Sequence, residues 1–367
     1  MSKPLVLYGA GQLGSLFLQL CEPFNLNIIG VLDKYSDRKE LQGVPVYQLS
    51  NAPGHLRAAV VIVCAFKSSE PQSINNELQK LGYDNVTDAY QFLFSLRGSS
   101  FFNGWRIPHI ERNSKRKKIV SFLTDYFHCE HSRTLYLLNL QYRQGLTDNL
   151  HFSGLLSPES IKYSNDIVKR FLETSSPSLV LDVGSWDMTL LYQLKEIAPP
   201  LCFKEYIAFD PLEQAFEYYR SSLQILNTIA DSTKIVRAAA VGLGHKASGQ
   251  VPFHSGMGMA SRIVSPHHRS AVWVDACTLS DYATSCSIVK LHIEGNEYPV
   301  VKEFILTANR SFPHLLMINC SHTPEGLFEI PFLLAQHGCE LYYCQHAFYG
   351  EGLTLYALLP PIYTTQL

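Results

Sequence analysis

The sequence lacks paired cysteines. Its nine cysteines are odd in number and scattered, with no C-x-x-C spacing, which argues against a zinc ribbon and a disulfide framework. That usage points to a reducing compartment, and a cytoplasmic chain is expected. A long apolar run is also missing: the longest, Ala58–Phe66, falls far short of the roughly 20 residues a membrane-spanning helix needs. Nor is there an excess of charge. Lys and Arg number 30 against 32 Asp and Glu, for a net charge near −2, which lacks the basic footprint of a nucleic-acid binder. The one basic run, Lys115-Arg116-Lys117-Lys118, reads as the solvated start of a helix. An apolar strand pattern begins at Leu5, leaving no room for a signal peptide before it. Nucleic-acid and membrane partners are therefore not expected, and self-association is left open.

What the sequence does have is one local pattern, twice. Its 367 residues, 46% of them hydrophobic, suffice for two domains with a core each. The first pattern is Leu5-Val6-Leu7-Tyr8-Gly9-Ala10-Gly11-Gln12-Leu13-Gly14, followed by Ile28–Asp33. The second is Leu179-Val180-Leu181-Asp182-Val183-Gly184-Ser185-Trp186-Asp187, followed by Tyr206–Asp210. Each reads as a buried strand, a tight turn, a helix and a second strand ending in an acid, the arrangement that holds the ribose of a nucleotide-like ligand. Strands alternating with helices across short loops imply parallel sheets. The expected fold class is α/β: two doubly wound parallel-sheet domains, 1–98 and 176–367, joined by a helical bridge and cap, 99–175.

In the first domain Gly9, Gly11 and Gly14 have G-x-G-x-x-G spacing directly after a strand. Such glycines allow a tight turn and bring backbone N–H groups to a pyrophosphate at a helix N-terminus. Asp33 is the candidate ribose-binding acid, and Val60–Cys64 predicts a third strand. The alternative is that the glycines serve packing alone. No second half follows to carry a nicotinamide and its hydride acceptor, which disfavours a dehydrogenase. With Gly43–Tyr47 and Leu81–Val86, residues 3–95 resemble the short N-terminal domain of bacterial sugar N-acyltransferases and polysaccharide-assembly proteins. That resemblance implies a nucleotide or nucleotide-sugar ligand.

Residues 99–175 carry no glycine loop. Apolar residues at helical spacing in Ile119–Tyr126 and Thr134–Tyr142 predict helices. Ser132 is the expected N-cap of the second, and Cys129, Glu130 and His131 beside it are read as that helix start rather than a metal cluster. Tyr142, Arg143 and Tyr163 are this segment's candidates to reach a substrate.

In the second domain the acid precedes the glycine, Asp182-Val183-Gly184. Asp210 ends the following strand, placed to take two ribose hydroxyls, since carboxylate oxygens accept only. Further strand ends are expected at Arg237–Gly242, Ser287–Gly295 and His314–Asn319, and Glu340–His346 with Leu353–Leu359 predicts a terminal β-hairpin. The blocks Leu181–Asp187, Ala208–Pro211, Ala240–Gly242 and Ile288–Glu297 resemble the FkbM family of S-adenosylmethionine (SAM)-dependent O-methyltransferases, over residues 179–359. The resemblance implies a class I methyltransferase fold, and SAM held by Asp182, Gly184, Ser185, Trp186, Asp187 and Asp210. It also implies methyl transfer to a hydroxyl of a small molecule or glycan, of carbohydrate or glycoconjugate type. Three positions depart from the family: Met188 stands where glycine is usual, His292 where aspartate is, and Asn319 where an acid is.

Lys290, His292 and Glu294 are expected to alternate along one strand and share a face. His292 and Glu294 then lie at its carboxyl end, where open α/β sheets bind ligands. His292, whose ordinary pKa lies nearest neutrality, is the expected catalytic base, with Glu294 beside it. Glu294 and Glu297 are also read as groups that position sugar hydroxyls or a cation, and no metal is assigned. A hydrogen-bonded core histidine is the other reading of His292. Met188 separates a working transferase, in which its side chain turns away from SAM, from a non-catalytic nucleotide- or sugar-binding scaffold, in which it fills the pocket. The loop Ser255–Arg262, followed by His267-His268-Arg269, is read as a lid over substrate or an ordinary surface loop.

Overall fold

The computed structural model describes residues 3–21, 24–65, 71–95, 110, 114–147, 149–242, 249–255, 261–348 and 352–362. Strand β1 (Leu5–Tyr8) is four buried residues in a row, as a central parallel strand covered on both faces requires. Leu5 and Leu7 pack with Phe17 and Leu18 of α1 (Gln12–Cys21), while Val6 and Tyr8 join the cluster on the opposite face. β2 (Ile28–Asp33) pairs parallel with one side of β1. β3 (Glu40–Leu41) and β4 (Val44–Gln48) form a hairpin, with β4 parallel to β2. β5 (Val60–Val63) takes the other side of β1. α2 (Pro71–Lys80), β6 (Val86–Asp88) and α3 (Ala89–Ser95) complete the unit. The order is β3-β4-β2-β1-β5-β6, with α1 and α3 on one face and α2 on the other. The chain leaves β1 toward one side and returns on the other, so the loop after β1 sits at the sheet's switch point.

Three helices follow, α4 (Ser114–Tyr126), α5 (Glu130–Arg143) and α6 (Asp166–Ser175). Ser132 is not an N-cap. The helix already begins at Glu130, and Ser132 turns inward to accept the Tyr343 N–H at 3.0 Å.

The second sheet alternates β7 (Leu179–Val183), α7 (Thr189–Lys195), β8 (Phe203–Phe209), α8 (Glu213–Ile229) and β9 (Ala230–Val236). Four short strands come next: β10 (Ala239–Ala240), β11 (Gln250–His254), β12 (Arg262–Ile263) and β13 (Ala271–Cys277). The large sheet resumes with β14 (Ser287–Leu291), α9 (Glu297–Thr307), β15 (His314–Asn319), α10 (Glu329–Gln336), β16 (Glu340–Gln345) and β17 (Leu353–Leu359). Its seven strands run β16-β17-β15-β14-β7-β8-β9, with β17 antiparallel to both neighbours. The terminal hairpin stands as expected. One face of this sheet packs with α9, α10 and the bridge helices α4 and α5, the other with α6, α7 and α8. The strand expected to end at Gly242 stops instead at Val236. Ala239 and Ala240 belong to a separate four-stranded sheet, β10-β13-β11-β12. No helix among the described residues is long and apolar enough to cross a membrane.

Candidate active site

The site is built at the carboxyl ends of β7, β8, β14 and β15. Asp182 lies wholly buried beneath the loop after β7. The Tyr206 hydroxyl donates to its Oδ2 at 2.7 Å, and Lys290 Nζ stands 3.1 Å from its Oδ1. Lys290 also donates to the Gly184 carbonyl. Asp182 and Lys290 thus brace the loop, while Gly184, Trp186 and Asp187, with Lys290 itself, line a cleft beside it. At Gly184 φ is +74°, and an added Cβ would stand 2.0 Å from the His292 carbonyl oxygen. No side chain fits there, which lets the β7 loop pack backbone to backbone against the end of β14. Ser185 is buried behind the loop. Asp187 accepts the N–H of Thr189 at 3.1 Å and its hydroxyl at 2.6 Å, closing the start of α7.

Met188 has φ +59°, the left-handed conformation that favours glycine. Its side chain is wholly buried and joins the hydrophobic cluster of Val168, Leu190 and Leu194. It is not among the residues that line the cleft.

Asp210, at the end of β8, faces the cleft with 6% of its surface exposed. Its Oδ1 accepts the Leu212 N–H at 3.0 Å and its Oδ2 the Trp186 N–H at 3.3 Å. Burial pushes its carboxyl up to about 6, against the opposing pull of those two N–H groups and Lys290. The neighbouring wall is apolar, formed by Phe209, Leu212 and Ala238–Ala240, with Phe253 and Ile263 of the small sheet also lining it.

Beyond this wall is a polar cluster. β14 ends at Leu291, so His292 and Glu294 do not extend its alternation as the sequence suggests. The chain turns, with Glu294 at φ +54°, and His292 Nε2 comes 3.1 Å from Glu294 Oε1. Asn319 Nδ2, at the end of neighbouring β15, lies 3.0 Å from the same Nε2. His322, which the sequence reading did not single out, completes the group. Its Nε2 is 3.4 Å from Glu294 Oε2 and its Nδ1 is 3.1 Å from Glu297 Oε1. The His292 and His322 rings stack at 5.3 Å. Burial alone would lower the His322 pKa, but Glu294 and Glu297 together raise it above the ordinary value.

Of the bridge candidates, Tyr163 lines the cleft. Tyr142 does not: its hydroxyl donates to Asp88 Oδ1 at 2.9 Å. Arg143 is wholly buried and donates to the carbonyls of Cys320 at 3.1 Å and Thr323 at 3.5 Å. It props up the loop that carries His322, and burial pulls its pKa down to about 10.

In the first domain the glycine loop is drawn onto the following strand. Asp33 Oδ2 accepts the Ala10 N–H at 2.6 Å, and its Oδ1 accepts from Tyr35 and Ser36, each at 2.8 Å. A Cβ on Gly14 would stand 2.2 Å from the Gly9 carbonyl oxygen, whereas at Gly11 it would meet open space. Gly14 therefore serves close helix–strand packing, and Gly11 leaves the loop's outer side accessible. Residues 256–260 of the loop read as a lid lie outside the described residues.

No protein-family profile matches this sequence, and no curated protein matches it either. Among solved structures, the chain is similar to the methyltransferase FkbM from Methylobacillus flagellatus, at TM-score 0.69 and 12% identity over 97% of this chain and 90% of that one. An rRNA methylase from Streptococcus thermophilus is matched at TM-score 0.33 and 15% identity, over 53% of this chain and 95% of that one. At 12% identity the first likeness establishes the fold alone: this is an α/β chain with parallel sheets that matches a methyltransferase fold.

Proposed function

We propose that the chain is a SAM-dependent O-methyltransferase acting on a hydroxyl of a carbohydrate or glycoconjugate. The observation that carries this reading is the direction of Met188: its side chain is buried away from the cleft, so the departure from glycine leaves the cofactor's space open. The residues present suit that cofactor. Asp210 spends one acceptor site per oxygen on backbone N–H groups, and a carboxylate has about four, so two remain for ribose hydroxyls. The apolar wall at Phe209, Leu212 and Ala238–Ala240 suits a flat base. SAM, when bound, supplies an electrophilic methyl group on a sulfonium.

His292 and Glu294 line the same cleft and form the acceptor side. SAM held beside Asp210 would supply the methyl carbon to the hydroxyl oxygen, its sulfur being left with the bonding electron pair. The hydroxyl proton passes to His292, which Glu294 holds in place. Positioning of this kind supplies roughly 7–11 kcal/mol of barrier lowering, and a placed base about 10²–10⁴-fold. The division 1–98, 99–175 and 176–367 accompanies this reading. So does a nucleotide or nucleotide-sugar at Gly9, Gly11 and Gly14, beside Asp33, which a failure of all such ligands to raise the Tm of the full chain would dismiss.

Calorimetry with SAM and S-adenosylhomocysteine on the full chain tests the main reading. Wild type should bind both. Asp210→Ala should bind more weakly, since each hydrogen bond to a charged acceptor is worth about 1.5–3 kcal/mol. Absence of binding by wild type would move the chain to a scaffold role.

A further inference from the structure

We propose that His292, Glu294 and His322 hold one divalent transition-metal ion beside the cleft, with its open coordination positions turned toward the acceptor. The three side chains come from two strand ends, those of β14 and β15. One ligand atom from each lies within 4.8 Å of the others. Glu294 Oε1 stands 3.1 Å from His292 Nε2, and its Oε2 stands 3.4 Å from His322 Nε2. Metal–ligand bonds of about 2.1 Å give polyhedron edges of about 3.0 Å for an octahedron and about 3.4 Å for a tetrahedron. Each carboxylate oxygen thus stands about one such edge from one imidazole nitrogen, one oxygen per histidine.

The hydrogen-bond pattern sets which atoms face inward. Asn319 Oδ1 accepts the Ser321 N–H at 2.9 Å, so its amide nitrogen is the atom turned to His292 Nε2. The imidazole nitrogen therefore accepts this amide N–H with its one lone pair, while Glu294 Oε1 approaches it at 3.1 Å. Two acceptors face each other at hydrogen-bond distance, and a cation that took the lone pair in place of the amide N–H would relieve the repulsion. On the other side, Glu297 accepts the N–H groups of Ile293 at 3.0 Å and Gly295 at 2.9 Å, so its carboxylate is fixed as an acceptor. The His322 Nδ1 beside it must carry a proton. In the neutral imidazole, Nε2 then offers its lone pair to the same centre. A carboxylate that orients a ligating histidine through its second nitrogen is a recurrent companion of metal sites.

Access fits as well. Glu294 and His322 line a second pocket with Arg262 and Thr323, and that pocket shares Glu294 and Asn296 with the cleft. Three protein ligands leave positions for water or substrate. Two imidazoles with one carboxylate suit Zn²⁺, Co²⁺, Ni²⁺, Mn²⁺ or Fe²⁺ rather than an all-oxygen cation such as Ca²⁺. The ion's role in binding the acceptor hydroxyl rests on the methyl-transfer reading; the site itself does not. In the loaded site His292 would be a ligand rather than the base; the ion would make the bound hydroxyl more acidic, and its proton would pass to water in the cleft.

The test uses the full chain, stripped with a chelator and titrated with Co²⁺ alone. Visible d–d absorption should saturate at one equivalent and be displaced by Zn²⁺. His322→Ala and Glu294→Gln should abolish it, and Glu297→Gln should weaken binding about 10–100-fold. Asp210→Ala should retain Co²⁺ affinity while binding SAM more weakly. Should His322→Ala fail to fold, proton NMR of the Co²⁺-loaded wild type should show two shifted imidazole N–H resonances. Absence of stoichiometric Co²⁺ binding, or binding that persists in a folded His322→Ala, would overturn the site. Co²⁺ binding without SAM binding would keep the site and sink the methyl-transfer reading, and SAM binding without Co²⁺ would do the reverse.

Discussion

At the residue scale, Met188 sets two costs against each other. A non-glycine residue in the left-handed region loses roughly 1–2 kcal/mol, and here that loss is offset by a side chain wholly buried among Val168, Leu190 and Leu194. Replacing a buried Met with a much smaller residue costs about 2–5 kcal/mol. Met188→Gly should therefore lower stability by about 1–3 kcal/mol in urea unfolding while changing SAM affinity less than threefold. A variant that binds SAM far more tightly than wild type would show that the thioether occupies the cofactor's space. Asp210 gives a pH dependence. Its carboxyl is pushed up to about 6 by burial, and ribose hydroxyls need the ionised acceptor. SAM affinity should rise from pH 5 to pH 7 in wild type, and Asp210→Asn should flatten the profile. Stability runs the other way. A raised carboxyl pKa penalises the charged form, so this group's contribution is full below the ordinary value of 3.8 and is lost as pH climbs through about 6. Asp210 and Gly184 were legible because a strand-end motif fixes their surroundings. The direction of Met188 was not, since it depends on packing from α6 and α7.

At the element scale, the large sheet could be read almost strand by strand, because buried parallel strands are continuous apolar runs. The small sheet could not. β10 and β12 are two residues each, and β13 exposes Val272 and Trp273, so neither alternation nor a run marks them. The polar cluster was half legible for a related reason. His292, Glu294 and Glu297 sit in one motif, but His322 joins them only because β15 lies beside β14, a neighbour relation that the sequence states nowhere. Its useful signal was position, three residues past the end of a parallel strand. Arg143 closes α5 and holds the carbonyls of Cys320 and Thr323 on either side of that position. Arg143→Met should leave the Cys320 and Thr323 carbonyls short of a donor, at about 1–3 kcal/mol each. The variant should unfold at lower urea and lose Co²⁺ affinity, while SAM affinity stays near wild type. Unchanged urea and Co²⁺ midpoints would show that the loop stands without its prop.

At the scale of the whole molecule, the bridge helices belong to two surroundings at once. α5 packs on the large sheet through Leu135 and Tyr136, and Tyr90 of α3 lies in the same cluster. Ser132 and Asn139 bond to Tyr343 and Gln345 of β16. A fragment beginning at residue 151 would strip this cover from Leu341 and Tyr343, so the full chain is the object to assay. On the opposite side, the α5 residue Tyr142 reaches β6. Its hydroxyl donates to Asp88, and its carbonyl accepts from Gln91 Nε2 at 3.0 Å. This contact ties the first sheet to the scaffold of the second. A hydrogen bond to a charged acceptor is worth about 1.5–3 kcal/mol, and Asp88 keeps a second donor, the Gln91 N–H at 2.9 Å. Tyr142→Phe, which removes the hydroxyl and leaves the ring buried, should therefore loosen the junction without unfolding either sheet. Hydrogen exchange should quicken in Val86–Ser95, while β7 and β14 keep their protection and SAM affinity holds. If exchange instead quickens across β7 and β14 as well, the two sheets unfold as one cooperative unit, and the junction is part of a single core.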